Sequence, residues 1–155
     1  MLNIYTVAFF GHKYIDNPFP VKQRLEEYIK SLIFRYEYVD FLVGRNGDFD
    51  QIAAASVFHV RKEHRCDNSS LILVLPYIVS DYINNKNSFL NYYSEVEICE
   101  KASAAHPKSA IEIRNREMIK RADLILCYLN KNEGNTLKLI QYALKLGKDI
   151  VNLAN

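Results

Sequence analysis

The chain has 155 residues, of which 49% are apolar and 25% charged, and its net charge is +2. Such a composition supports one domain (residues 1–155) with a proper core, excludes a disordered chain, and leaves too little length for two comfortable domains. So small a charge does not by itself imply a nucleic-acid or membrane partner.

Residues 3–10 form a β-branched and aromatic run that predicts a buried first strand, ending at Gly11-His12-Lys13. Pro18 and Pro20 close the loop that follows. Val21, Leu25, Ile29, Leu32 and Ile33 then recur at helical spacing up to about Tyr36. Residues 39–43 predict a second strand, which breaks at Gly44-Arg45-Asn46-Gly47. Asp48 and Asp50 stand where helix caps belong, and a helix runs from there to about Glu63. A third strand, residues 71–75, stops at Pro76.

Residues 77–106 carry the weakest pattern: an exposed loop around Asn84 to Asn87, then a helix over 89–101. Beyond Pro107 the spacing predicts a helix over 109–121, a buried strand over 124–129 and a turn at Gly134-Asn135-Thr136. A helix over 136–146, a stop at Gly147 and a last strand over 150–153 complete the chain. Five apolar strands alternate with helices and no tight hairpin signal separates them. The expected fold is therefore α/β, a Rossmann-like three-layer domain with a mainly parallel sheet of about five strands.

In a parallel sheet the turns after the strands share one rim, where open α/β sheets bind ligands. Gly44 and Gly47 either let the backbone approach a phosphate at a helix amino end or form a plain turn capped by Asp48 or Asp50. Gly134-Asn135-Thr136 allows the same two readings. Asn115 falls on an apolar helical face with Ile111, Met118, Ile119 and Ala122, so it either ties the helix to a loop or lines the cleft. Arg114, one position off that face, reaches a phosphate over the rim or is a solvated arginine. His12 is a lone loop histidine, and His59, His64 and His106 lack metal-ligand spacing, so no metal is expected. Cys66, Cys99 and Cys127 are far apart and read as reduced thiols. No basic-then-apolar leader and no apolar run of about 18 residues is present, so neither signal peptide nor membrane span is expected and the chain reads as cytoplasmic.

Together these pieces resemble the SLOG superfamily of Rossmann-like domains, which includes YpsA-like proteins, the DNA-processing protein DprA and LOG-type phosphoribohydrolases. The similar features are Gly11-His12-Lys13, the Gly44-x-x-Gly47-x-x-Asp50 loop, Arg114-Asn115-x-x-Met118-Ile119-x-x-Ala122-Asp123, and Gly134-Asn135-Thr136. The YpsA-like branch is the most similar. The resemblance implies a nucleotide-like ligand on the rim and commonly self-association; no cofactor is expected. LOG-type enzymes carry a glutamate three residues after the turn threonine; here that position is Leu139, which can neither bind a ribose hydroxyl nor stabilise a cationic sugar.

The leading expectation is a non-catalytic nucleotide-binding sensor or regulatory domain. Its site would comprise Gly11, His12, Gly44, Arg45, Asn46, Gly47, Asp50, Arg114, Asn115, Gly134, Asn135 and Thr136. The alternative is a nucleotide N-glycosidase or deoxyribosyltransferase, which needs two acids; Asp50 with Glu95 or Glu97 are the candidates. Single-stranded DNA binding is the weaker alternative. Lys and Arg are scattered, so nucleic acid is not expected as the partner.

Overall fold

The computed structural model describes residues 2–65 and 67–155. Cys66, read above as a reduced thiol, lies outside them. Six parallel strands form one sheet in the order β4-β3-β2-β1-β5-β6. They are β1 (Ile4–Gly11), β2 (Tyr38–Val43), β3 (Ser69–Leu75), β4 (Glu95–Ile98), β5 (Leu124–Tyr128) and β6 (Asp149–Asn152). The long helices are α1 (Pro18–Arg35), α2 (Asp48–His64), α6 (Pro107–Arg121) and α7 (Asn135–Lys145), with short α3 (Ser80–Asn84), α4 (Lys86–Tyr92) and α5 (Glu100–Ser103) between β3 and α6.

The period of two along each strand sorts the core into two layers. Val7, Phe9, Phe41, Val43, Leu71 and Leu73 face α1 and α2, where Leu25, Ile29, Ala53 and Val57 are fully buried. Ala8, Phe10, Leu42, Ile72, Ile125 and Cys127 face the opposite way, onto Met118 and Ile119 of α6 and Ile140 and Ala143 of α7. Burial pushes the Cys127 thiol up to about 11, which keeps it protonated and inert.

The sixth strand is the main departure from expectation. Residues 89–101 split into α4, β4 and α5 rather than one helix. Glu95 and Glu97 belong to the edge strand β4, which pairs with β3 from Ile72↔Glu95 to Leu75↔Ile98. Charged residues are tolerated there because an edge strand has one side open to water. The preceding helices dock through aromatic contacts instead of a long apolar stripe: Phe58 of α2 stacks on Tyr92 at 4.8 Å, and Tyr82 meets Phe89 at 5.3 Å.

One helix end closes a turn at the far edge of the sheet and another shapes the rim. At the C-terminus of α7, Gly147 takes φ +73, with its N–H on Leu144 O and the Lys148 N–H on Ala143 O. That left-handed stop turns the chain directly into β6. At the N-terminus of α2 the cap is Gly47, not Asp48 or Asp50. The Asp48 N–H is bound by Lys13 O at 2.8 Å and the Phe49 N–H by His12 O at 3.4 Å, so the loop after β1 lies across the start of α2.

Among the described residues no helix is long and apolar enough to cross a membrane.

Candidate functional site

The chain leaves β1 toward β2 on one side of the sheet, whereas β5 lies on the other. A crevice opens outside the carboxyl end of β1 at this reversal of strand order. The crevice is a cleft of about 270 Å³. Its wall takes Gly11, His12 and Lys13 from the end of β1, and Gly44, Asn46, Gly47 and Asp50 from the entry to α2. Ile111, Arg114 and Asn115 come from α6, and Asn135, Thr136 and Leu139 from α7. Four segments far apart in sequence thus meet where the parallel sheet requires.

The two small-residue turns meet there but offer different chemistry. In the turn before α2, the Asn46 N–H is accepted by Asp50 Oδ2 at 2.9 Å. With Asp48 and Phe49 bound to the β1 loop, that turn's amides are largely spent. A Cβ on Gly47 would stand 2.6 Å from Lys13 Cα, so this glycine serves backbone contact between two loops. The turn before α7 is open. Gly134 is the N-cap at φ +101, no side chain caps the helix, and a Cβ on Gly134 would meet nothing within 4 Å. No side chain caps the first amides of α7, and Asn135 and Thr136 line the adjoining end of the cleft, with the helix dipole behind them.

Arg114 is not a solvated arginine: it stands buried in the wall of the cleft. It is 1% exposed, donates from Nη1 to Val74 O at 2.9 Å and from Nε to Asn115 Oδ1 at 2.9 Å. Burial lowers its pKa, and the Asp50 carboxyl opposes that shift. Asp50 is itself raised by burial, against the Asn46 N–H and the Arg114 charge. Gly44 separates these two groups. A Cβ there would lie 3.1 Å from Asp50 Oδ2 and 3.2 Å from both terminal nitrogens of Arg114. The floor of the cleft is thus a partly buried acid and a buried cation held apart by a residue without a side chain.

His12 is also buried, and its Nε2 accepts the Asn130 N–H at 3.0 Å, which joins the β1 loop to the segment after β5. Two expected site residues stand apart from the cleft wall. Arg45 turns away, pairing with Asp81 at 2.8 Å and covering the Phe89 ring at 5.1 Å. Gly134 only heads the helix whose next two residues line the cleft.

The acids required for glycosidic cleavage do not gather. Asp50 is the one carboxyl among the described residues lining the cleft. Glu97 pairs with Arg121 at 2.7 Å on β4, and Glu95, raised first by burial and then by Glu97 and Asp40, lies two residues earlier on the same strand. Leu139 occupies the cleft wall where a second acid would be needed. Among the described residues no three His, Cys, Asp or Glu side chains form a metal-holding group. Lys13 is the charged lining residue that the expected site left out. Its signal was its place beside Gly11 and His12 at the end of the first strand.

No family model matches the chain, and no curated protein matches it. Solved structures do. The chain superposes on DNA processing protein A from Helicobacter pylori with a TM-score of 0.64 at 16% identity, covering 94% of this chain and 63% of that one. For DNA processing protein A (DprA) from Streptococcus pneumoniae the TM-score is 0.66 at 15% identity, covering 95% and 49%. The chain therefore shares the Rossmann-like α/β fold of these proteins and spans 63% and 49% of their length. The Helicobacter pylori protein is described by its single-stranded DNA binding mode. That finding goes against the expectation, drawn from scattered Lys and Arg and a net charge of +2, that nucleic acid is not the partner. Net charge sums over the whole surface, whereas strand binding depends on one groove and its local donors.

Proposed function

We propose that this chain binds single-stranded nucleic acid, with one backbone phosphate at the uncapped amino end of α7 and the adjoining sugar in the cleft. The carrying observation is the open α7 terminus facing the Lys13 loop across the reversal point of the sheet. Free amides and a helix dipole favour an anion there, and Lys13 supplies the mobile cation. Arg114 sets the positive floor without leaving its bonds to Val74 and Asn115. Support also comes from the fold shared with a protein that binds single-stranded DNA. The absence of a second carboxyl among the described lining residues favours binding over glycosidic cleavage.

A free nucleotide is the second reading, because a cleft of about 270 Å³ is near the lower size of ordinary small-molecule pockets. The two separate in one titration. Fluorescence anisotropy of a labelled thymidylate strand of about ten nucleotides is followed with and without excess thymidine monophosphate. Saturable, salt-sensitive strand binding that the mononucleotide competes only weakly supports the first reading. Full displacement by the mononucleotide at a comparable concentration supports the second. No strand binding even at low salt ends the proposal.

A further inference from the structure

We infer that Tyr14 is a base-stacking platform beside the phosphate cleft, receiving the base of a nucleotide whose backbone passes Lys13. The inference rests on the nucleic-acid reading above and adds a contact to bases where that reading concerns phosphate and sugar.

Tyr14 is 73% exposed, the most exposed of the large hydrophobic side chains among the described residues. Its loop is nonetheless fixed on both sides by one residue. The Asp48 N–H is held by Lys13 O at 2.8 Å, and the Asp48 carboxylate accepts the Ile15 N–H at 2.9 Å, while the Ile15 side chain is buried in the core. Asp48 therefore clamps the residue before Tyr14 and the residue after it, leaving the ring projecting from a braced backbone. A ring presented in this way loses little conformational entropy on binding a planar partner.

The neighbouring charge fits the same occupant. Lys13 lines the cleft, and its Nζ lies 5.9 Å from the centroid of the Tyr14 ring. A cation next to an open aromatic face is the pairing that single-strand binders use: the cation follows the backbone and the ring takes a base of any sequence. Nothing about folding calls for the ring in water, since an apolar body there contributes no burial.

The test compares a labelled thymidylate strand with an abasic deoxyribose-phosphate strand of the same length, on wild type, Tyr14→Ala and Tyr14→Trp. Wild type is expected to prefer the base-bearing strand. Tyr14→Ala loses roughly 5- to 100-fold affinity for it, binds the abasic strand as wild type does, and keeps the same salt slope. Tyr14→Trp retains the preference. If wild type binds both strands equally, or if Tyr14→Ala keeps the preference, the stacking role is overturned while strand binding stands. If wild type binds neither strand, both proposals fall. Because Tyr14 is exposed, unchanged thermal melting of each variant confirms that folding is not the cause.

Discussion

His12 accepts the backbone N–H of Asn130 at its Nε2, 3.0 Å away, and this bond ties the loop after β1 to the segment after β5. An accepting Nε2 places the ring proton on Nδ1 and requires a neutral imidazole. Burial first, and then the charge of Lys131, lower its pKa from the usual 6.5, while the Asn130 side chain opposes them. In the window between that lowered value and 6.5, the unfolded chain holds a proton that the folded one refuses. Stability is thus fully present above about 6.5, falls as the pH is lowered through it, and levels off once the folded ring is protonated. His12→Gln keeps an acceptor without titrating, so its urea midpoint should vary less with pH over that window. An equally steep profile in the variant would remove His12 from the account. His12→Ala, which strands the Asn130 N–H, should cost about 1–2 kcal/mol at neutral pH.

The contact between Gly47 and Lys13 gives a second expectation. A methyl group on Gly47 would sit 2.6 Å from Lys13 Cα and 3.1 Å from Lys13 O, so one of two backbones must move. Gly47→Ala should destabilise by about 1–3 kcal/mol and weaken strand binding by displacing Lys13. Gly134→Ala is the comparison for stability alone: it meets no atom within 4 Å, so its cost is the strain of φ +101 with an extended ψ, about 1–3 kcal/mol, with the β1 loop left in place. Equal denaturation midpoints for wild type and Gly47→Ala would contradict the close packing.

Arg114 is expected to matter for folding before it matters for binding. Arg114→Met keeps the stem but leaves Val74 O and Asn115 Oδ1 without their donor and Asp50 without its cation. We expect a loss of about 2–4 kcal/mol in chemical denaturation, and Arg114→Lys, which keeps charge without the planar fork, to fall between. The pH profile should change as well. A carboxyl whose folded pKa is raised above 3.8 makes stability fall as pH rises from there to the folded value. Removing Arg114 raises Asp50 further, so the fall extends to higher pH. A variant as stable as wild type at every pH would show that the buried guanidinium is dispensable.

Much of this fold was legible because strands β1, β2, β3 and β5 are buried on both faces and read as continuous apolar runs. Their parallel arrangement placed the turns at 11–13, 44–47 and 134–136 on one rim, where the cleft lies. The burial of Arg114 was missed because it depends on Val74 O, a backbone partner 40 positions away that leaves no periodic trace. Arg45 was misplaced for a related reason: Asp81 and Phe89, which draw it aside, lie in the segment whose helices dock through scattered aromatic rings. Strand β4 was read as helix because Glu95 and Glu97, at alternate positions, resemble a solvated acidic face as much as an edge strand. Which turn amides stay free was also beyond pattern, since the α2 turn is closed by carbonyls of His12 and Lys13 rather than by a side chain.

Lys13 makes the proposed strand binding quantitative. Each phosphate neutralised on a single strand releases counterions and adds about 0.7 to the slope of log affinity against log salt. The few cations at the cleft predict a shallow slope, the sum of a small number of contacts. Lys13→Ala should lower the slope by about 0.7 and weaken binding of base-bearing and abasic strands alike, because it removes a phosphate contact and no base contact. Its fold should be unaffected: the Lys13 carbonyl that binds the Asp48 N–H belongs to the backbone and survives the substitution. Anisotropy titrations at several salt concentrations measure this directly. An unchanged slope in Lys13→Ala would move the strand's path away from the β1 loop, and with it the location of the phosphate site.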